Sequence, residues 1–165
     1  MARSRLDKVI ARLVAQKAIL EHVAGCIAGV PGPVLELGLG NGRTFDHLRM
    51  LLPDREIFVF DRAVLAHPKT IPDGRHLILG EIQETLAYCG PRIGAPAALI
   101  HCDLGTGDDT ADLARSDWLS RLIPPLAAAG CYVASGIELK MDGFSTEPLL
   151  AGVEPGRYHL YRRGS

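Results

Sequence analysis

The segment Val34-Leu35-Glu36-Leu37-Gly38-Leu39-Gly40-Asn41-Gly42 runs from apolar residues into three alternating glycines, with a carboxylate two residues ahead of the first. Glycine at the mouth of a strand-to-helix turn tolerates positive φ and, having no Cβ, lets a ligand lie against the main chain. The segment therefore reads as a loop for a nucleotide cofactor. Its spacing is G-x-G-x-G, whereas the dinucleotide fingerprint is G-x-G-x-x-G and needs no carboxylate at that place. A pyrophosphate seeks bare amides at a helix N-terminus. Glu36 facing the loop would repel it and favour a cationic ligand. Asp61 closes the next apolar run, 19 residues past Gly42, where a carboxylate can accept hydrogen bonds from both hydroxyls of a ribose. Polar groups collect again at Ile100-His101-Cys102-Asp103-Leu104-Gly105. If this is the end of a strand, His101 and Asp103 share a face about 6.6 Å apart along it while Cys102 points the other way. Asp103 is the better placed to accept from a cofactor amino group or to take a proton from a substrate. His101 is a second candidate base, weighed against the role of a satisfied core histidine. Cys102 has no partner base in the sequence that would make it a nucleophile.

These residues need strands that end beside one another. Leu6, Val9, Ile10, Leu13, Val14, Ile19 and Leu20 recur mostly at helical spacing, so a leading amphipathic helix within residues 1–29 is expected to pack on the body. Val34–Leu37, Ile57–Phe60, Leu77–Leu79 and Ala97–Cys102 are continuous apolar runs of the kind found in sheets covered on both faces. A helix after Gly42 stops at Pro53, a short one spans Glu81–Tyr88, and one containing Trp118 stops at Pro124-Pro125. Gly130–Ile137 and Arg157–Arg162 supply two late strands. This alternation predicts a doubly wound α/β sheet with ligands at the carboxyl ends of its strands. Nothing in the pattern marks a second domain, so 1–165 is expected to be one domain.

Composition narrows the function classes. A formal charge of −1 leaves no global footprint for nucleic acid, although Arg3, Arg5, Lys8, Arg12 and Lys17 gather near the start and are expected on a solvated helix face. The cysteines Cys26, Cys89, Cys102 and Cys131 are widely spaced without a C-x-x-C pair, which fits neither a zinc knuckle nor a disulfide scaffold. No apolar run approaches the ~20 residues of a membrane span, and the charged start is unlike a signal peptide. A cytoplasmic protein without membrane contact is expected. A metal-assisted site would need clustered ligands beside Asp103, which Ser135-Gly136-Ile137 does not offer. No metal is expected.

The acidic residue, the apolar residue and the G-x-G-x-G run resemble the first motif of class I S-adenosylmethionine-dependent methyltransferases, and the resemblance covers roughly residues 30–138. It implies S-adenosyl-L-methionine as cofactor and a Rossmann-like methyltransferase sheet with helices on both faces. In that resemblance Glu36, Gly38, Leu39, Gly40, Asn41 and Gly42 form the cofactor loop, with Asp61 and Arg62 at the ribose. Glu81 takes the adenine amino group, Ile82 its ring, and Asp103 the cofactor's amino group. Asp103 and His101 stand as the catalytic candidates. Only about thirty residues follow the fifth strand, too few for a helix and two long strands of ordinary length. An abbreviated antiparallel hairpin around Met141-Asp142-Gly143 is expected instead. With no insertion to form a lid, the acceptor pocket would be shallow, covered by the leading helix, or completed by a second copy in a homo-oligomer. The leading reading is methyl transfer to a small-molecule acceptor. A catalytically silent cofactor-binding or interaction module is the alternative, and Glu36 with the glycine spacing disfavours a nicotinamide-dependent oxidoreductase.

Overall fold

The carboxyl-end arrangement expected of the strands is present. The computed structural model describes residues 3–165, built on a seven-stranded sheet of order β3-β2-β1-β4-β5-β7-β6. Helix α1 (Arg5–Cys26) leads into β1 (Val34–Leu37), α2 (Arg43–Leu51), β2 (Ile57–Asp61) and β3 (Leu77–Leu79). There follow α3 (Ile82–Tyr88), α4 (Gly90–Ile93), β4 (Ala97–Cys102), α5 (Asp109–Leu122), β5 (Ala127–Ser135), β6 (Phe144–Thr146) and β7 (His159–Arg163). Strands β1 to β5 are mutually parallel, and β7 runs antiparallel to both β5 and β6. Chain order reverses between β1 and β4, the place where open α/β sheets leave a crevice for ligands.

Alternation along β1 divides the core in two. Leu35 and Leu37 join Phe58, Phe60, Leu86 and Leu119 on the face covered by α3 and α5. Val34 joins Ile19, Leu20, Leu48 and Val59 on the face covered by α1 and α2. Glu36 lies on that second face and is fully buried. Helix α1 opens on a reciprocal cap: Asp7 N–H donates to Ser4 Oγ at 3.1 Å, and Ser4 N–H donates to Asp7 Oδ2 at 3.0 Å. The body claims less of α1 than its periodicity suggested. Burial begins at Ala15, and Leu6, Val9, Ile10 and Val14 stay exposed.

The C-terminal pairing differs in detail from the expected hairpin. Residues 141–143 only lead into β6, and the connection to β7 is the longer segment 147–158, which brings Val153 and Tyr158 into the core. Strand β5 begins at Ala127 rather than Gly130, and α4 was not expected.

Among the described residues no helix is long and apolar enough to cross a membrane. Cys26 is exposed, whereas Cys89, Cys102 and Cys131 are buried. Burial pushes the Cys102 thiol up and the Cys131 thiol up to about 12. A colorimetric thiol titration should therefore count one fast thiol in the native protein and four after denaturation. A second fast thiol would contradict this burial.

Candidate functional site

Gly38, Leu39, Gly40 and Asn41 follow β1 and line a cleft of about 690 Å³ at the carboxyl ends of β1 to β4. The loop is anchored from the neighbouring strand end. Asp61 Oδ2 accepts from Leu39 N at 2.8 Å and Gly40 N at 3.1 Å, while Oδ1 accepts from Arg62 N at 2.6 Å and Ala63 N at 3.3 Å. One carboxylate thus sets the loop and the turn after β2 together.

Two glycines are required for different reasons. At Gly42, with φ +77°, a Cβ would come within 2.3 Å of Thr70 Oγ1 and 2.7 Å of Thr70 O, so close packing excludes a side chain. At Gly40, with φ +50°, a Cβ would meet nothing within 4 Å. The space in front of Gly40 is open cleft, the kind of cradle in which a ligand lies on backbone.

Asp61, Arg62, Glu81, Ile82 and Asp103 also line the cleft. Arg62 Nη1 is 3.8 Å from Glu81 Oε1 across the ends of β2 and β3. Ile82 starts α3 with its side chain largely buried. Asp103 Oδ2 accepts from Arg12 Nη1 at 3.3 Å, a contact that carries α1 over to the end of β4. Of the alternatives for completing the pocket, cover by the leading helix is the one seen, with α5 as a part that was not expected. Arg12, Leu13 and Gln16 of α1 face Arg115 and Trp118 of α5 around the cleft. The loop leading to α5 is held by Asp112, which accepts from Thr106 N at 2.9 Å and Gly107 N at 3.0 Å. Burial works against the Asp112 charge, but these amides and Arg115 keep its carboxyl below the usual range.

Glu36, His101 and Gly42 do not line the cleft, which corrects the expectation that Glu36 faces the ligand and that His101 faces a substrate. The parallel register pairs Glu36 with His101, and both are fully buried. His101 Nδ1 lies 2.7 Å from Glu36 Oε2, and its Nε2 lies 2.7 Å from Tyr158 Oη. Thr44 donates its hydroxyl to the other Glu36 oxygen, and Gln16 Nε2 donates to Tyr158 Oη at 3.0 Å. Burial opposes charge on His101, but the adjacent Glu36 carboxylate outweighs it and raises the His101 pKa. Burial pushes the Tyr158 hydroxyl well above its usual value, with Asp103 adding to the effect. With both ring nitrogens engaged in the interior, His101 cannot meet a substrate in the cleft.

A family model described as S-adenosyl-L-methionine methyltransferase matches residues 3–163. Among solved structures, an S-adenosyl-L-methionine methyl transferase from Silicibacter pomeroyi DSS-3 is 45% identical, with a TM-score of 0.92 over 99% of this chain and 100% of that one. The apo form of a TDP-rhamnose 3′-O-methyltransferase of calicheamicin biosynthesis is 19% identical, with a TM-score of 0.65 over 90% of this chain and 79% of that one. The plantazolicin methyltransferase in complex with SAH is 11% identical, with a TM-score of 0.57 over 93% and 84% of the two chains. These last two establish the fold alone. Among curated proteins none matches the chain.

Proposed function

Because the chain belongs to the S-adenosyl-L-methionine methyltransferase family, we propose that it binds S-adenosyl-L-methionine on the Gly38–Gly42 loop and methylates a small molecule seated between α1 and α5. The observation that carries the site assignment is the open space before Gly40, in a loop tied by its own amides to Asp61. The residues present suit a cofactor that carries a sulfonium and an ammonium group, since Asp61, Glu81 and Asp103 put carboxylates along one wall. When bound, the cofactor supplies an electrophilic methyl group.

The chain's own contribution is binding and orientation. Backbone of Leu39, Gly40 and Asn41 forms the floor, and Ile82 offers an apolar surface to the adenine ring while Glu81 accepts from its amino group. Asp61 is assigned to the ribose hydroxyls, which then share its carboxylate with the backbone amides of Leu39, Gly40, Arg62 and Ala63, and Arg62 steadies Glu81 through their ion pair. Asp103 is assigned to the cofactor's amino group, which then competes with the Arg12 guanidinium for one carboxylate. The residues of α1 and α5 opposite this wall hold the acceptor, and a cleft of about 690 Å³ shared with the cofactor suits a small molecule. Methyl transfer requires mainly an in-line approach, and positioning of this kind can supply on the order of 7–11 kcal/mol in favourable cases. Where the acceptor must lose a proton, Asp103 is the carboxylate at the cleft that can take it. His101 is assigned no proton from the acceptor.

Asp61→Ala removes the acceptor of both loop amides and of the ribose hydroxyls. We expect it to weaken S-adenosylhomocysteine binding by about 1–3 kcal/mol, roughly 5- to 150-fold, measured by calorimetry. An unchanged affinity would remove Asp61 from the binding site.

A further inference from the structure

Beneath the cleft runs a polar chain that neither cofactor contact nor acceptor contact explains. It passes from Thr44 on α2 through Glu36 on β1, His101 on β4 and Tyr158 ahead of β7 to Gln16 on α1. Glu36 and His101 are 0% exposed, Tyr158 1% and Gln16 3%. Buried ion pairs are poor stabilisers, because apolar residues of similar volume often do as well or better. A core that places a charged pair, a phenol and an amide in one line has accepted that cost at four positions on separate elements. The two ends of the chain explain its course: Thr44 and Gln16 both line the cleft, one on the glycine-loop side and the other on the α1 wall.

We propose that Glu36, His101 and Tyr158 are positioning residues that couple the cofactor loop to α1, so that cofactor seating and the setting of the acceptor wall are one event. This rests on the assignment of the cofactor to the Gly38–Gly42 loop. Each link is short, at 2.7 Å on both sides of His101 and 3.0 Å at Gln16, and hydrogen bonds in a low-dielectric interior reinforce one another along a chain. A shift of Thr44 is therefore felt at Glu36 and passed through two side chains held rigidly by packing. The imidazole and the Tyr158 ring lie nearly parallel, their centroids 5.9 Å apart and their planes inclined by 9°, with the Tyr158 hydroxyl bridging them to Nε2. At the far end Gln16 belongs to the same helix as Arg12, which reaches Asp103 across the cleft. The coupled event is thus the placement of α1 against both the cofactor and the acceptor.

Hydrogen exchange measured with saturating S-adenosylhomocysteine tests the coupling. In the wild type, exchange should slow both at residues 38–44 and along the α1 segment 12–20, the latter by about 5-fold or more, the low end of coupling between sites. Tyr158→Phe cuts the chain at a residue that does not line the cleft. In that variant the loop should still be protected, and the α1 response should be lost. Thr44→Val cuts the other end and should uncouple α1 in the same way, while Thr44→Ser, which keeps the hydroxyl, should behave as the wild type. A purely structural role would lower the melting temperature of the variants without separating the two responses. Equal α1 protection in the wild type and in the folded cut variants would overturn the coupling. No protection at residues 38–44 in the wild type would instead overturn the cofactor assignment, and the coupling with it.

Discussion

His101→Leu should destabilise the protein by about 3–5 kcal/mol, the usual cost of removing one partner of a buried ion pair. The Glu36 carboxylate would remain in the core with the Thr44 hydroxyl as its partner, and Tyr158 would lose the ring nitrogen 2.7 Å away. For a chain of 165 residues this corresponds to a fall in melting temperature of about 6–20 °C. The double variant Glu36→Leu/His101→Leu should recover much of that loss, because the uncompensated charge disappears. Thermal melts of both variants would decide the point. A single variant as stable as the wild type would show that the pair is not formed. The same pair gives a pH signature. The folded-state pKa of His101 lies above its ordinary value of 6.5, so its stabilisation is complete below about pH 6.5 and is lost as pH rises through the folded value. Wild-type stability should carry that downward slope, and His101→Leu should lack it.

Gly40→Val should reduce S-adenosylhomocysteine affinity at least about 100-fold, equivalent to about 2.7 kcal/mol. The new side chain meets no protein atom within 4 Å, so it stands in the part of the cleft where the cofactor is assigned. A β-branched residue at φ +50° is also strained, and lost folding has to be separated from lost binding. Gly40→Asn makes that separation, since asparagine tolerates left-handed backbone but still fills the space. It should fold with a melting temperature near the wild type and still fail to bind. Binding retained by Gly40→Asn would remove the loop from the cofactor site.

Much of the frame was legible because it rests on local pattern. The apolar runs at 34–37, 57–60, 77–79 and 97–102 are strands β1 to β4; the buried parallel strands among them read as continuous hydrophobic segments, whereas β3 lies at the sheet edge with Leu79 exposed. The glycine loop and Asp61 were found as separate motifs, and their contact through Leu39 N and Gly40 N follows from the pairing of β1 with β2. The resemblance to a methyltransferase first motif likewise agrees with the family match over residues 3–163.

What stayed hidden depends on juxtaposition. Glu36 and His101 were read as two functions at two cleft positions, but the β1–β4 register sets them side by side on the inner face. A single sequence carries the alternation of a strand and not its register with another strand. Tyr158 lies 57 residues beyond His101 and 142 beyond Gln16, and the strand expected over Arg157–Arg162 did not say which strand or helix it would meet. Arg12 looked like one of several solvated charges on α1, and only the helix's passage over the cleft brings it to Asp103. The C-terminal turn was misplaced for a related reason: Met141-Asp142-Gly143 has turn chemistry, yet the strands that pair are β6 and β7 on either side of residues 147–158.

The most direct test of the account is calorimetric titration of the wild-type protein with S-adenosyl-L-methionine, S-adenosylhomocysteine and NADH. Both sulfur nucleosides should bind in about the micromolar range, with no heat from NADH. Absence of binding by both sulfur nucleosides, or binding of NADH at comparable strength, would contradict the assignment of the Gly38–Gly42 cleft.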